Sequence, residues 1–355
     1  MRILITGICG FVGSELALSL RERLTSCTIV GLDNLLRPGS EGNRAVLRQA
    51  GCEITHGDLR SVADVDALPA ADWVIDAAAC PSVLSGVDGR TSPAQLTGHN
   101  LTGTLHVLEY CRRHRAGLVM LSTSRVYSVS AMQSVPVRRE GGRYVVDAGA
   151  ALPPGCSEHG LDERFSTDPP LSLYGATKRA SEVMAMEYGC TFDLPVWINR
   201  CGVLAGGRQF GTAEQGVFSW WVRAYAAGHG LTYLGYDGSG AQVRDMLHPR
   251  DLASLIVTQM QRGTAKPRVL NVGGGIDHAV SLAEVSAWCA ERFGPREIAA
   301  DLAPRRFDVP WIVMDSRVAQ RELGWCVTLD WRAVLAEIAD HHAAHPDWLA
   351  LSSPS

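Results

Sequence analysis

Tyr174 and Lys178 stand four residues apart in "SLYGATKRASEVMAMEYG". On a helix that spacing puts both side chains on one face, one turn from each other. An ammonium held near a phenol, with a positive nicotinamide ring beside it, favours phenolate and lowers a tyrosine pKa from about 10 toward neutrality. Such a tyrosine acts as a general base. Upstream, "GLVMLSTSRVYS" closes an apolar run on the hydroxyls of Ser122, Thr123 and Ser124, followed by Arg125. A YxxxK pair alone is common on protein surfaces. It gains weight here from its place after a fifth strand, because doubly wound sheets bind ligands outside the carboxyl ends of their strands.

A second group of residues suits an anion. "TGICGFVGSELALSL" carries Gly7, Gly10 and Gly13 at the end of a first strand and then takes up a helical period. Gly7 allows the tight turn, Gly10 lets the backbone approach a pyrophosphate, and Gly13 permits close helix-to-strand packing, with helix N-terminal N–H groups meeting the anion. Asp33 ends the second strand 20 residues after Gly13, where a carboxylate binds the adenosine ribose hydroxyls and repels a 2′-phosphate. Together these favour NAD over NADP, although Arg37 is placed to meet a phosphate. Asp58, in "HGDLR", accepts either from an adenine amino group or from a helix N-terminus that it caps.

These residues need a scaffold, and the pattern supplies one. Short β-branched runs ("RILITG", "CTIVGLD", "CEITHGD", "WVIDAAA", "GLVMLSTS", "PVWINRCG") alternate with segments of helical period such as 98–115 and 174–190. That alternation predicts an α/β fold, a doubly wound parallel sheet with helices on both faces. Residues 128–170 break the rhythm with Gly, Pro and charge, and are expected to form an irregular lid insertion. After about residue 200 the helices are separated by Gly-rich turns, with one more strand-like run in "RVLNVGGG", which suggests a smaller C-terminal lobe.

The composition excludes other classes. The chain has 355 residues, a formal net charge of -4 and no Lys/Arg block, so nucleic acid is not an expected partner. No window reaches the roughly 18 apolar residues of a spanning helix, and no secretory signal pattern opens the chain. A cytoplasmic protein with no membrane contact is expected. The ten cysteines are scattered without CxxC pairs and read as free thiols, mostly core. His341 and His345 lie one helical turn apart but lack a third ligand, so no metal is expected and a solvated helix end is.

Taken together, "TGICGFVGSELA", "DNLLRPGS", "GDLR", the hydroxyl cluster and "YGATK" resemble the extended short-chain dehydrogenase/reductase family of nucleotide-sugar epimerases and dehydratases. "RDMLHPRDLA" and "DSRVAQRELGW" extend the resemblance into the C-terminal half. It implies a Rossmann-type NAD-binding domain over 1–200 and about 245–272, with a substrate-binding α/β lobe over about 201–244 and 273–355. It further implies a catalytic triad of Thr123, Tyr174 and Lys178. Thr123 is the hydroxyl four residues before Tyr127, as in the family. The implied cofactor shell comprises Gly7, Gly10, Phe11, Val12 and Gly13, then Asp33, Asn34 and Arg37, then Asp58 and Leu59, then Ala77, Ala78 and Ala79. Asn100, Ser122 and Cys201 complete it with Tyr174 and Lys178.

Within the family, 4,6-dehydratases carry Asp-Glu after the threonine to eliminate water. Ser124 and Arg125 hold those places here, and neither supplies that acid and base near neutral pH. "GGRQFGTAEQG" and "GAQVRDMLHPRDL" resemble the CDP-paratose (CDP-tyvelose) 2-epimerase group. That implies oxidation at C2 of a CDP-linked dideoxyhexose, turning of the keto sugar, and reduction on the other face. The sequence departs from the group at Leu36, Cys80 and Ser124-Arg125. Cys80 and Ser124 are expected at the sugar, and Arg208, Gln209, Arg244 and Arg306 at the nucleotide. Guanidinium forks match phosphate oxygens, with surface salt bridging as the alternative use. The competing readings are a UDP- or dTDP-sugar 4-epimerase, a 4,6-dehydratase and a catalytically silent NAD-binding regulator. Family members pair through the helices at 98–115 and 174–190, so a homodimer is expected.

Overall fold

A computed structural model of the chain describes residues 1–352. Seven strands form one parallel sheet: β1 (Arg2–Thr6), β2 (Thr28–Asp33), β3 (Glu53–His56), β4 (Trp73–Asp76), β5 (Gly117–Thr123), β6 (Val196–Cys201) and β7 (Arg268–Val272). Their order is β7-β6-β5-β4-β1-β2-β3. The direction of winding reverses beside β1, and that switch point opens a crevice at the carboxyl ends.

The β-branched runs are strands because both sheet faces are covered. Ile3 and Ile5 face one layer with α1 (Phe11–Arg23), while Leu4, between them, faces the other with α2 (Gly103–His114) and α3 (Leu173–Phe192). This is the two-residue period of a strand buried on both sides. The stretch expected as a helix from 98 begins as a wide π turn, Gly98–Thr102, before α2. The Ser172 hydroxyl caps α3 by accepting from Gly175 N at 3.0 Å, fixing where that helix begins and hence where Tyr174 stands.

The smaller lobe holds a four-stranded sheet of Val203–Leu204, Val243–Leu247, Ala279–Ser281 and Trp311–Ile312. Its core gathers Phe218 and Trp221 of α4 (Val217–Ala226) with Val285, Leu335 and Ile338. Helix α5 (Pro249–Arg262) packs with α1 in the core of the large sheet, as do Ala319, Leu323 and Trp325. The C-terminal stretch therefore passes between both cores. His248 caps α5, its Nδ1 accepting from Arg250 N at 3.1 Å.

Residues 128–170 are not an irregular lid. They contain a short helix, Val129–Gln133, a hairpin of Val137–Glu140 with Arg143–Val146, and a two-residue pair, Cys156–Ser157 with Gly160–Leu161. Met132 and Phe165 pack on Val309, Trp311 and Met314, and none of these residues lines the crevice. The absence of helical period reflects antiparallel strands of four residues or fewer. This arm is secured by Tyr144 N to Ala241 O at 2.9 Å and Leu161 N to Val313 O at 2.8 Å.

All ten cysteines are free, and six are buried. His341 is not solvated: it is half-buried, with its Nδ1 3.1 Å from the Arg223 guanidinium and its ring against Trp348. Among the described residues no helix is long and apolar enough to cross a membrane, and no three metal-ligating side chains converge.

Candidate active site

A cavity of about 850 Å³ runs along the carboxyl ends of the parallel strands and under the smaller lobe. At one end lies the glycine turn. Gly7 has φ +64°, and a Cβ on Gly13 would sit 2.2 Å from the Gly7 carbonyl oxygen, so the helix starts tight against the strand. The Asp33 carboxylate holds this end together, accepting from Cys9 N and from Leu35 N at 2.8 Å each. Arg37 lines the crevice, but its guanidinium donates to the Phe210 carbonyl and burial lowers its pKa. One arm of its fork is thus held by the loop that carries Phe210.

Asp58 lines the same end, and it does not cap the following helix, where Ser61 accepts from Asp64 N. Its carboxyl takes Arg60 at 3.0 and 2.8 Å and the Asn34 amide at 3.0 Å. The Arg60 hydrogen bonds hold it well below the usual carboxylate range. Phe11, Val12, Leu59, Ala77, Ala78, Ala79 and Cys201 also face the cavity. Asn100 does not. It is buried under the floor, its Oδ1 accepting from Cys80 N at 2.8 Å and its Nδ2 donating to Cys80 O at 3.1 Å, so it shapes the loop that presents Cys80.

The catalytic candidates converge. Thr123 is the last residue of β5, Tyr174 the second of α3, and Lys178 lies one turn further along, 7% and 2% exposed for the last two. Burial pushes the Tyr174 phenol up to about 12, against a lowering hydrogen bond from Thr123 and the charge of Arg125. Thr123 and Arg125, rather than Lys178, are the main lowering influences on this phenol. A bound cation would have to supply the rest. Burial lowers the Lys178 pKa, while the Asp76, Cys201 and Glu182 side chains raise it. Asp76 is itself fixed by Thr6 Oγ1 at 2.7 Å and Thr104 Oγ1 at 3.2 Å.

Ser122 lines the cavity, yet its hydroxyl is directed backward and donates to Glu182 Oε1 at 2.6 Å. Glu182 is fully buried and pairs with Arg200 at 2.8 Å. Cys80 and Ser124 line the cavity, with Cys80 Sγ 3.3 Å from Ser85 Oγ. Gln209 is in the wall, but its amide is consumed by Leu204 O at 2.9 Å and Ser219 Oγ at 2.7 Å. Arg244 lines the cavity and meets Asp308 at 3.3 Å. Arg306 is exposed at the rim, its guanidinium 5.2 Å from the centre of the Phe307 ring. Arg208 is turned away to Asn43 Oδ1 at 2.5 Å and Glu15 at 3.8 Å, outside the cavity, because buried acceptors on the α1 side are nearer. Trp220, Thr232, Arg305 and Asp308 line the wall without having been singled out from sequence; Arg305 and Asp308 flank Arg306 in "RRFD".

Residues 3–273 match the model of the "NAD dependent epimerase/dehydratase family". The chain belongs to that family. CDP-paratose 2-epimerase of Salmonella typhi is 30% identical over 296 residues, covering 80% of this chain and 82% of that protein. dTDP-glucose 4,6-dehydratase of Streptomyces antibioticus is 27% identical, covering 98% and 94%. The crystal structure of a Bacillus cereus UDP-glucuronic acid 4-epimerase superposes with a TM-score of 0.79 at 22% identity, over 97% of this chain and 99% of that one, which bears on fold alone. The family's cofactor fits these residues: the glycine turn lines the cavity where a pyrophosphate would lie, and Asp33 offers acceptors to a ribose.

Proposed function

We propose that the chain is an NAD-dependent epimerase inverting C2 of a CDP-linked dideoxyhexose. The observation that carries the reaction type is the pair of residues after Thr123. Ser124 and Arg125 line the cavity where elimination of water needs an acid and a base, while the Thr123, Tyr174 and Lys178 set beside them is complete. The likeness to CDP-paratose 2-epimerase supports the choice of carbon and base.

NAD, when bound, would supply the hydride acceptor and donor, held by the glycine turn and Asp33. Tyr174 Oη removes the proton of the reacting hydroxyl and restores it after reduction. Lys178 holds positive charge beneath the phenolate as it forms, and the Thr123 hydroxyl bonds the reacting oxygen. The cavity gives a keto sugar room to turn between the two transfers.

Proton NMR of CDP-, UDP- and dTDP-sugars, incubated with protein and no added nicotinamide, tests this. Inversion of a CDP-sugar at C2 is expected. Water loss, conversion confined to UDP- or dTDP-sugars, or no conversion of any sugar would each refute it.

The same reading includes a homodimer formed through α2 and α3. Val183 and Met186 on α3 are 45% and 36% exposed, apolar surface that a partner would cover. Sedimentation velocity is expected to return twice the chain mass, and Val183→Glu to halve it. A monomer in the parent protein would dismiss this part.

A further inference from the structure

We infer that Arg125 is a substrate-binding guanidinium that takes an oxygen of the substrate's β-phosphate beside the reacting carbon, and so selects C2 over C4. The inference rests on the nucleotide-sugar reading above and adds a residue and a geometric cause to it.

The backbone of Arg125 is fixed next to the catalytic groups. Its N–H donates to Thr123 Oγ1 at 3.1 Å. Its carbonyl oxygen presses on the first turn of α3, 2.1 Å from where a Cβ on Gly175 would lie. From there the side chain crosses the crevice to the opposite wall, where Nη1 donates to Phe307 O at 3.2 Å. That is the one protein acceptor the guanidinium meets among the described residues, out of five N–H donors. The other donors are not among the buried orphaned atoms, so they open on the cavity.

The wall it reaches is short of negative charge. Arg244 and Arg305 line it with Asp308, and Asp308 is already paired with Arg244 at 3.3 Å. Arg244 also donates to Val243 O at 2.7 Å and Val309 O at 2.9 Å, so its fork is largely used. Arg125 has the unspent donors. Burial, with Arg244 next in effect, pushes its pKa down to about 9, as expected of a cation awaiting a counter-charge.

An oxyanion bound there would share the cavity with Tyr174 and Arg244. In a nucleotide sugar, C2 is one bond from the anomeric carbon that carries the diphosphate, whereas C4 lies across the ring. A phosphate-binding group anchored two residues past Thr123 therefore suits a reacting C2. A sugar carboxylate offers the same chemistry, and the experiment separates the two.

Calorimetric titration of the NAD-loaded protein with CDP, CMP, UDP, dTDP and a uronate-bearing nucleotide sugar, repeated for Arg125→Gln and Arg125→Lys, with proton NMR of the parent's sugar product, tests the inference. CDP binding should weaken about 10- to 100-fold in the glutamine variant, the range for a hydrogen bond to a charged group. CMP binding should hold constant, and the lysine variant should fall between. Equal CDP affinity in the parent and either variant, at an unchanged melting temperature, would overturn the inference. So would inversion at C4 by the parent, or a loss seen only with uronate-bearing sugars. Failure of the parent to bind CDP, UDP or dTDP would instead strike at the nucleotide-sugar reading.

Discussion

Tyr174→Phe is expected to lower kcat about 1000-fold, within the span of a lost general acid–base group. Only the hydroxyl is removed. The ring stays packed at the head of α3, so nucleotide affinity and melting temperature should match the parent. The pH profile adds a check that mere damage would not pass. Burial disfavours the phenolate, so the basic form gains population as pH rises, and parent activity should climb through the phenol's value in the loaded enzyme. The variant's residual rate should lack that limb. Retention of a tenth or more of parent kcat would remove Tyr174 from the mechanism.

The second large effect is on stability. Glu182→Ala should cost about 3–5 kcal/mol, the penalty for removing one partner of a buried ion pair. Glu182 Oε1 accepts from Ser122 Oγ at 2.6 Å and Arg200 Nε at 3.0 Å, while Oε2 accepts from Arg200 Nη2 at 2.8 Å and Arg179 Nη1 at 3.2 Å. Arg200 would be left 5% exposed with its cation uncompensated. The side chain is inside the structure and not in the crevice, so the loss should appear in denaturant midpoint before it appears in kcat. A change under about 1 kcal/mol in urea titration would show that water or rearrangement replaces the carboxylate.

What was legible in the sequence was local. The glycine turn with Asp33, the strand ending in Thr123, and the helix carrying Tyr174 and Lys178 each announce themselves by spacing, because short-range geometry fixes them. Choices among chemically equal side chains were not legible. Arg208 and Arg305 are both arginines on loops, and only tertiary packing decides that one turns to Asn43 and the other lines the cavity. Glu182 and Arg200 belong to residue types that usually face water, so their pairing across α3 and β6 had no signal in either segment. The same holds for Asn100, whose bonds to Cys80 span 20 positions. The burial that raises the Tyr174 phenol is likewise not written in the YxxxK spacing.

The arm formed by residues 128–170 has a consequence for how the chain assembles. Its strands are too short to be stable alone, and their partners come late: Ala241 for Tyr144, and Val313 for Leu161. During synthesis, β1 to β5 can pair among near neighbours, but Tyr144 waits 97 residues for Ala241 and Leu161 waits 152 for Val313. Loop closure of that length slows pairing. The cavity wall that includes Arg305 and Asp308 thus matures last, after the glycine-turn end of the crevice already has its shape.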